Sequence, residues 1–293
     1  MLSTTINDRN GSTILWAIVL FALPAAQASV LYNNIPLSQS PDLSWPYQVE
    51  QTAEFGGLVQ LDGGDPHTLE SAIVAMSNWT TKSAWPGVGT AAGYTIPLTL
   101  NLYNVQPDNS VGTLFSTTTV SALIPWRPEA DPANCGVGTS QYFGNDSLCH
   151  DGSLSTVTFN LANIVVPGQF IYGLAYSTQD WGSNPTGVDG PYNSLNFSLS
   201  TDQPTVGVNP YPDTAYLNTS VPGFYSDGGP GGTFRQDTGW TPYSGAVEFL
   251  GTATTPVPEP STLLLLGLGF FGLVVGKHCL MRPAQTKRSC PRA

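Results

Sequence analysis

The feature that most constrains this chain is a two-residue alternation of apolar and polar side chains that recurs through its middle. In residues 96–104 the apolar set is Ile96, Leu98, Leu100 and Leu102. In 157–161 it is Val157, Phe159 and Leu161, with Thr158 and Asn160 facing away. In 193–200 it is Leu195, Phe197 and Leu199, separated by Asn196 and Ser198, and near the end Val247 and Phe249 flank Glu248. Successive side chains of a strand point to opposite faces, so each segment reads as a strand with one buried face. Residues 170–177 (FIYGLAYS) are apolar on both faces and read as a central strand, while 72–79 and 111–124 add two more. No window of ten residues carries apolar positions at helical spacing. Gly, Pro, Asn and Asp break up the segments, which predicts an all-β fold: an antiparallel β-sandwich or jelly roll, with a closed barrel as the alternative. There is no internal repeat.

Composition removes the competing classes. Charged residues make up 10% of the 293 residues, against roughly a quarter in an ordinary soluble protein, which argues against a coiled coil or a polyelectrolyte tail. A hydrophobic share of 41% is too high for a disordered chain. The net charge of −11 excludes a nucleic-acid binder, because phosphate contact needs Lys and Arg.

Both ends read as addresses rather than fold. Residues 1–28 have the form of a secretory signal peptide: Arg9 in a polar leader, an apolar stretch at 14–23, then Ala26-Gln27-Ala28 as small residues before a cleavage point. At the other end, 252–262 is a Pro/Thr linker containing Pro258-Glu259-Pro260. Residues 263–281 follow as a candidate transmembrane segment, long enough to span if Lys277 snorkels. The tail 282–293 is basic, and five of the nine Lys and Arg residues fall in the last seventeen positions. A positive flank of this kind stays cytoplasmic and leaves the bulk of the chain outside. The order Pro-Glu-Pro, apolar span, basic tail resembles the PEP-CTERM sorting signal of exported bacterial proteins, although its basic residues are spread out rather than clustered directly after the span. The resemblance implies that an exosortase, a transpeptidase-like membrane enzyme, processes the chain near Pro258, Glu259 and Pro260 after export through the Sec machinery. It makes the tail a substrate and confers no activity on the protein.

Between the ends, 29–251 forms one ectodomain with three basic residues, Lys82, Arg127 and Arg235, against eighteen acidic ones, a net charge of −15. Such a surface repels nucleic acid and anionic lipid, and keeps the domain soluble or attracts divalent cations. Long connections at 125–153, 184–192, 201–212 and 223–240 are the places where a sandwich keeps its function. Cys135 and Cys149 are the only cysteines of this region. In an oxidising compartment they read as a disulfide and not as a zinc site, since no second Cys pair is present and His150 is the only imidazole nearby. Cys279 and Cys290 lie in the tail and should be free or lost with it. The Asp-Gly steps at 62–63, 151–152, 189–190 and 227–228 read as turns, with Ca²⁺ as the one cofactor they could attract.

Catalytic signals are sparse: His67 and His150 are the ectodomain's only histidines, and no nucleophile elbow, zinc helix or phosphate-binding glycine loop is present. Glu50, Glu54, Glu70, Glu129 and Glu248 are the glutamates a glycan-active hydrolase or lyase would need. Loop aromatics offer another use, because aromatic faces pack on sugar rings; Trp181, Tyr192, Tyr225, Asp227 and Trp240 are the candidate ligand residues, and covering the core ends is the alternative for them. Arg235, in the Gly-rich loop, should sit against Asp227 or Asp237. The strings Glu54-Phe55-Gly56, Met76-Ser77-Asn78-Trp79, Asn101-Leu102-Tyr103, Ile171-Tyr172-Gly173 and Gly231-Gly232-Thr233-Phe234-Arg235 are similar to exported bacterial proteins of no assigned activity. The expectation is therefore an exported, non-enzymatic envelope or extracellular-matrix protein, bound to the membrane through its tail and in contact with extracellular polysaccharide. A carbohydrate-binding module is the first alternative and a glycan-active enzyme the second.

Overall fold

The computed structural model describes residues 28–63 and 65–253. The signal peptide at 1–28 (except its last residue), the sorting motif Pro258, Glu259 and Pro260, the candidate span 263–281 and the tail 282–293 lie outside the described residues. What is described is all-β with antiparallel sheets, as the alternation predicts.

Seven strands form the first sheet: β1 (Ser29–Asn33), β2 (Ser44–Pro46), β4 (His67–Asn78), β9 (Ser153–Val166), β11 (Leu195–Ser200), β14 (Ser244–Gly245) and β15 (Val247–Ala253). Its path is β1-β15-β4-β11-β14, with β9 on the opposite edge of β4 and β2 on β11. Six strands form the second, in the order β13 (Arg235–Thr238), β12 (Thr214–Thr219), β3 (Thr52–Gln60), β10 (Gln169–Ala175), β5 (Gly93–Val105) and β6 (Val111–Pro125). The sheets meet through aromatic side chains. Phe55 of β3 stands edge-on to Phe197 of β11, with centroids 5.9 Å apart, and Phe170 of β10 meets Phe249 of β15 at 5.1 Å. Two separate sheets, each with open ends, replace the closed-barrel alternative.

The period-two windows bury the faces they should: Ile96, Leu98, Leu100 and Leu102 on β5, and Val157, Phe159 and Leu161 on β9. Strand β10 runs between β3 and β5 and is buried on both faces, as a central strand should be. The window 193–200 needs correction. It begins with a 3-10 turn, Pro191–Ser194, and the strand after it buries Asn196 and Ser198 as completely as its apolar residues. β4, β2 and β14 all pair with β11, and Asn196 and Ser198 bond the 43–44 segment, so no face of it is left for water.

Strands β3 and β12 are the longest that period-two reading misses; the short β1, β2, β13 and β14 also escape it. β3 holds Glu54 and the pair Gly56-Gly57 in its interior, and both residue types are depleted in strands. Its outer face is covered by a second, smaller apolar cluster of Leu58, Ile171, Tyr216 and Phe234, so polar and apolar positions are buried alike. The Gly56-Gly57 pair has a packing reason: a side chain at Gly56 would run into the Tyr172 carbonyl of β10.

Candidate functional site

The long 126–152 connection carries a short helix, α1 (Pro132–Cys135), and a hairpin of β7 (Tyr142–Phe143) and β8 (Cys149–His150). Asp131 caps α1 by accepting from the Ala133 and Asn134 amides, both at 3.1 Å. Cys135 and Cys149 form the expected disulfide, with Cα atoms 5.7 Å apart.

The five aromatic and acidic candidates do not converge on one cleft. Trp240 is a core residue: its ring packs on Trp45 and Phe55, at 5.0 and 5.2 Å, and its indole N–H donates to Asp237. Tyr192 packs against the main core, its hydroxyl bonded to the Val188 carbonyl, and borders a cavity of about 320 Å³ with Thr95, Thr99 and Asn184. Tyr225 and Asp227 do stand together, but around Arg235. That guanidinium pairs with Asp227 and lies 4.5 Å from the centre of the Tyr225 ring, while the Tyr225 hydroxyl donates to the Gln236 carbonyl. The Trp181 ring lies beside Gly229 of that loop, where an added Cβ would come within 3.8 Å of it. The group acts as a clasp on the Gly-rich loop.

The structure assembles a different groove, of about 310 Å³, lined among others by Asp42, Ser44, Trp79, Asn193 and Asn196. Trp79 follows β4 on the outward side of the alternation and is 37% exposed. Its indole N–H donates to Ser77 and its amide to the Ser194 carbonyl, both at 2.9 Å, so the ring is held in place. Asp42 is fixed from the opposite side: its carboxylate accepts from the Asp151 and Gly152 amides at 2.7 and 2.8 Å and faces His150 Nδ1 at 3.1 Å. The other ring nitrogen of His150 faces Asp146 at 2.9 Å. Burial alone would lower the His150 pKa, but hydrogen bonds to the Asp146 and Asp42 carboxylates, with their charge, outweigh it and raise the value. Carboxylates face both ring nitrogens, an arrangement that favours the doubly donating imidazolium over the neutral ring. Period-two counting from Val74 and Met76 already turns Trp79 away from the core. The contribution of Asp42 had no sequence signal, because its partners are more than a hundred residues away.

A second polar cluster lies on the outer face of the six-stranded sheet. Glu54 of β3 is 7% exposed and receives hydrogen bonds from Asn101 Nδ2 at 2.9 Å and from the Tyr103 hydroxyl at 2.9 and 3.1 Å, both residues of β5. Thr117 of β6 extends the chain by donating to Asn101 at 2.7 Å. The carboxyl lies over Gly173 of β10, where any Cβ would collide with it. Burial pushes the Glu54 pKa up to about 7 against the pull of its two donors. Glu54, Asn101, Tyr103, Gly173 and Phe234 thus meet on one sheet face, with Phe234 packed 5.2 Å from Tyr103. Among the described residues no group of three or more His, Cys, Asp or Glu is placed to hold a metal ion.

The comparisons bear on the end of the chain outside this geometry. The profile of the PEP-CTERM protein-sorting motif matches residues 256–277, which include Pro258, Glu259 and Pro260. The chain carries a PEP-CTERM sorting signal. That signal marks an exported protein targeted to an exosortase, membrane-held before processing. No curated protein and no solved structure matched the chain.

Proposed function

We propose that this is a non-enzymatic β-sandwich protein of the cell envelope. It is exported through the Sec machinery, held in the inner membrane by residues 263–281, processed by an exosortase near Pro258, and active at the surface or in the extracellular polysaccharide matrix. The observation that carries the reading is the sorting motif at 256–277 behind a well-packed sandwich. The polar clusters support it, since Asp42, His150, Glu54 and Arg235 are each committed to neighbours within the fold. Replacing Pro258, Glu259 and Pro260 together by Ala should leave export intact and make the unprocessed chain accumulate in the membrane. Wild-type processing kinetics in that variant would refute the assignment.

The groove at Trp79 favours one second reading, a carbohydrate-binding module. An exposed, rigidly held indole beside Asn193, Asn196, Ser44 and Asp42 offers a stacking face with hydroxyl-binding groups around it. Neutral glycans suit a domain of net charge −15. Titration of the full chain in detergent with neutral hexose oligosaccharides should quench tryptophan fluorescence saturably, and Trp79→Ala should abolish it. An unchanged titration in Trp79→Ala would remove this reading.

A further inference from the structure

The two long sides of the sandwich are built differently. On one side the sheets end in β13 and β1. β13 has four residues, among them Arg235 and Asp237, and β1 has five, with a register shift at 30–32 and its end covered by a bridge from Asn33 to Val206. Short length, charge, irregular register and a covering loop are the devices by which sheet proteins keep an edge from pairing with another chain.

On the other side the sheets end in β6 and β9, which lie next to each other across the two layers. They are fifteen and fourteen residues long, and neither contains an Asp, Glu, Lys, Arg or His. β6 reads VGTLFSTTTVSALIP, rich in residues that favour extended structure, with its single Pro at the last position. Leu114, Leu123 and Val165 on these strands are exposed. Among the described residues no strand pairs with the outer edge of either. β9 carries a bulge where Ala162 and Asn163 take positive φ, and β6 is bulged against β5 between Val111 and Ser116. From Ser116 to Pro125 β6 pairs with β5 in unbroken register, and this stretch is the open edge.

We propose that β6 is a homotypic interface, on which a second copy of this chain adds its own β6 in antiparallel register about a two-fold axis. An isologous contact brings a surface against itself, so like charges must not meet. In an ectodomain of net charge −15, the β6–β9 side offers nearly thirty strand residues without charge, so two copies can approach there without opposed carboxylates. Unpaired backbone N–H and C=O groups supply the adhesion, and an antiparallel edge satisfies its own copy. The regular stretch from Ser116 to Pro125, at about 3.3 Å per residue, extends about 33 Å, and layers about 10 Å apart with flanking side chains give a strip roughly 15 Å wide. The product, on the order of 500 Å² per copy, gives about 1,000 Å² in total, the lower bound of a specific interface.

The test uses the full chain in density-matched detergent, with Cys279 and Cys290 replaced by Ser. Sedimentation equilibrium should give a dimer, and the double variant Ser121→Lys, Leu123→Lys should weaken dimerisation at least tenfold with an unchanged melting temperature. Both positions are exposed, so the lysines need no room in the core. Independently of that variant, single cysteines at Thr113, Thr117, Thr119, Ser121 and Leu123 should include one, nearest the two-fold axis, that forms an intermolecular disulfide on mild oxidation. A cysteine at Thr238 on β13 should not. A monomer at about 100 µM with no crosslink along β6 would overturn the proposal. So would a dimer that persists in the lysine variant, which would place the contact elsewhere in the chain.

Discussion

Two long loops project from this sandwich, and they are held by opposite means. The 126–152 loop buries no residue of its helix α1, and a covalent bridge, Cys135–Cys149, closes it. The loop between β12 and β13, residues 220–234, has no cysteine and lies against the sheet instead. Asn218 of β12 bonds both the amide and the carbonyl of Gly229, at 2.8 and 3.1 Å, and a Cβ at Gly228 would strike the backbone at Thr219. Phe234 then plugs the outer apolar cluster. The contrast teaches that an ordered loop needs either a restraint on its unfolded ensemble or contacts with a sheet face. Glycine supplies the second option by letting the backbone itself make close contact.

The largest expected effect of breaking the comparison is on the bridged loop. Cys135→Ser removes a cross-link of sequence separation 14, worth about 3 kcal/mol in the chain-entropy model. Denaturant unfolding should show a lowered midpoint, and proteolysis should then begin within 126–152. An unchanged midpoint would mean that Asp131, Arg127 and His150 hold the loop unaided.

The next effect separates the regions by pH. Glu54 sits in register with Asn218, and its folded pKa of about 7 lies above its ordinary value of 4.5. The folded state therefore binds its proton more tightly than the unfolded state. The stabilisation is complete below pH 4.5 and is lost as pH rises through 7, on the order of 3 kcal/mol at most. His150, on the bridged loop, is also raised, so its contribution is present below 6.5 and fades above that value. Both groups predict that the melting temperature falls from pH 5 to pH 8. Glu54→Gln should flatten most of that slope and His150→Gln a smaller part. A slope untouched by Glu54→Gln would show that the carboxyl is solvated.

Smaller effects sharpen the account of the Gly-rich loop. Asn218→Ala leaves the Gly229 amide and carbonyl without their partner and should destabilise by about 2 kcal/mol, with new proteolytic cleavage between 220 and 234. Arg235→Ala removes a half-exposed ion pair and a cation–π contact, for a loss of about 1 kcal/mol or less. A larger loss from Arg235 than from Asn218 would reverse the order of the two restraints.

These restraints differ in how far the sequence revealed them. The cysteine pair needs only compartment and spacing, the β5, β9 and β11 strands only a period, and β10 only its continuous apolar run. The Arg235–Asp227 pair was legible because cations are so scarce in this domain. By contrast, β3 and β12 are buried on both faces and mix polar with apolar residues, so neither shows a clean alternation; Asn218, Asp42 and Glu54 act through residues on other strands. For Trp240 the sequence leaves ligand contact and core cover both open, because a Trp beside a long loop carries no sign of whether it turns inward. Its neighbours Trp45 and Phe55 decide that only once β2 and β3 are in place.

The central claim is that the sandwich is an exported cargo released from its membrane anchor by processing at the PEP-CTERM signal. The most direct measurement is the intact mass of the protein recovered from the cell surface. The account predicts a chain that ends near Pro258 to Pro260 and lacks everything from Lys277 to Ala293. A surface form that still carries Lys277 to Ala293 would contradict it.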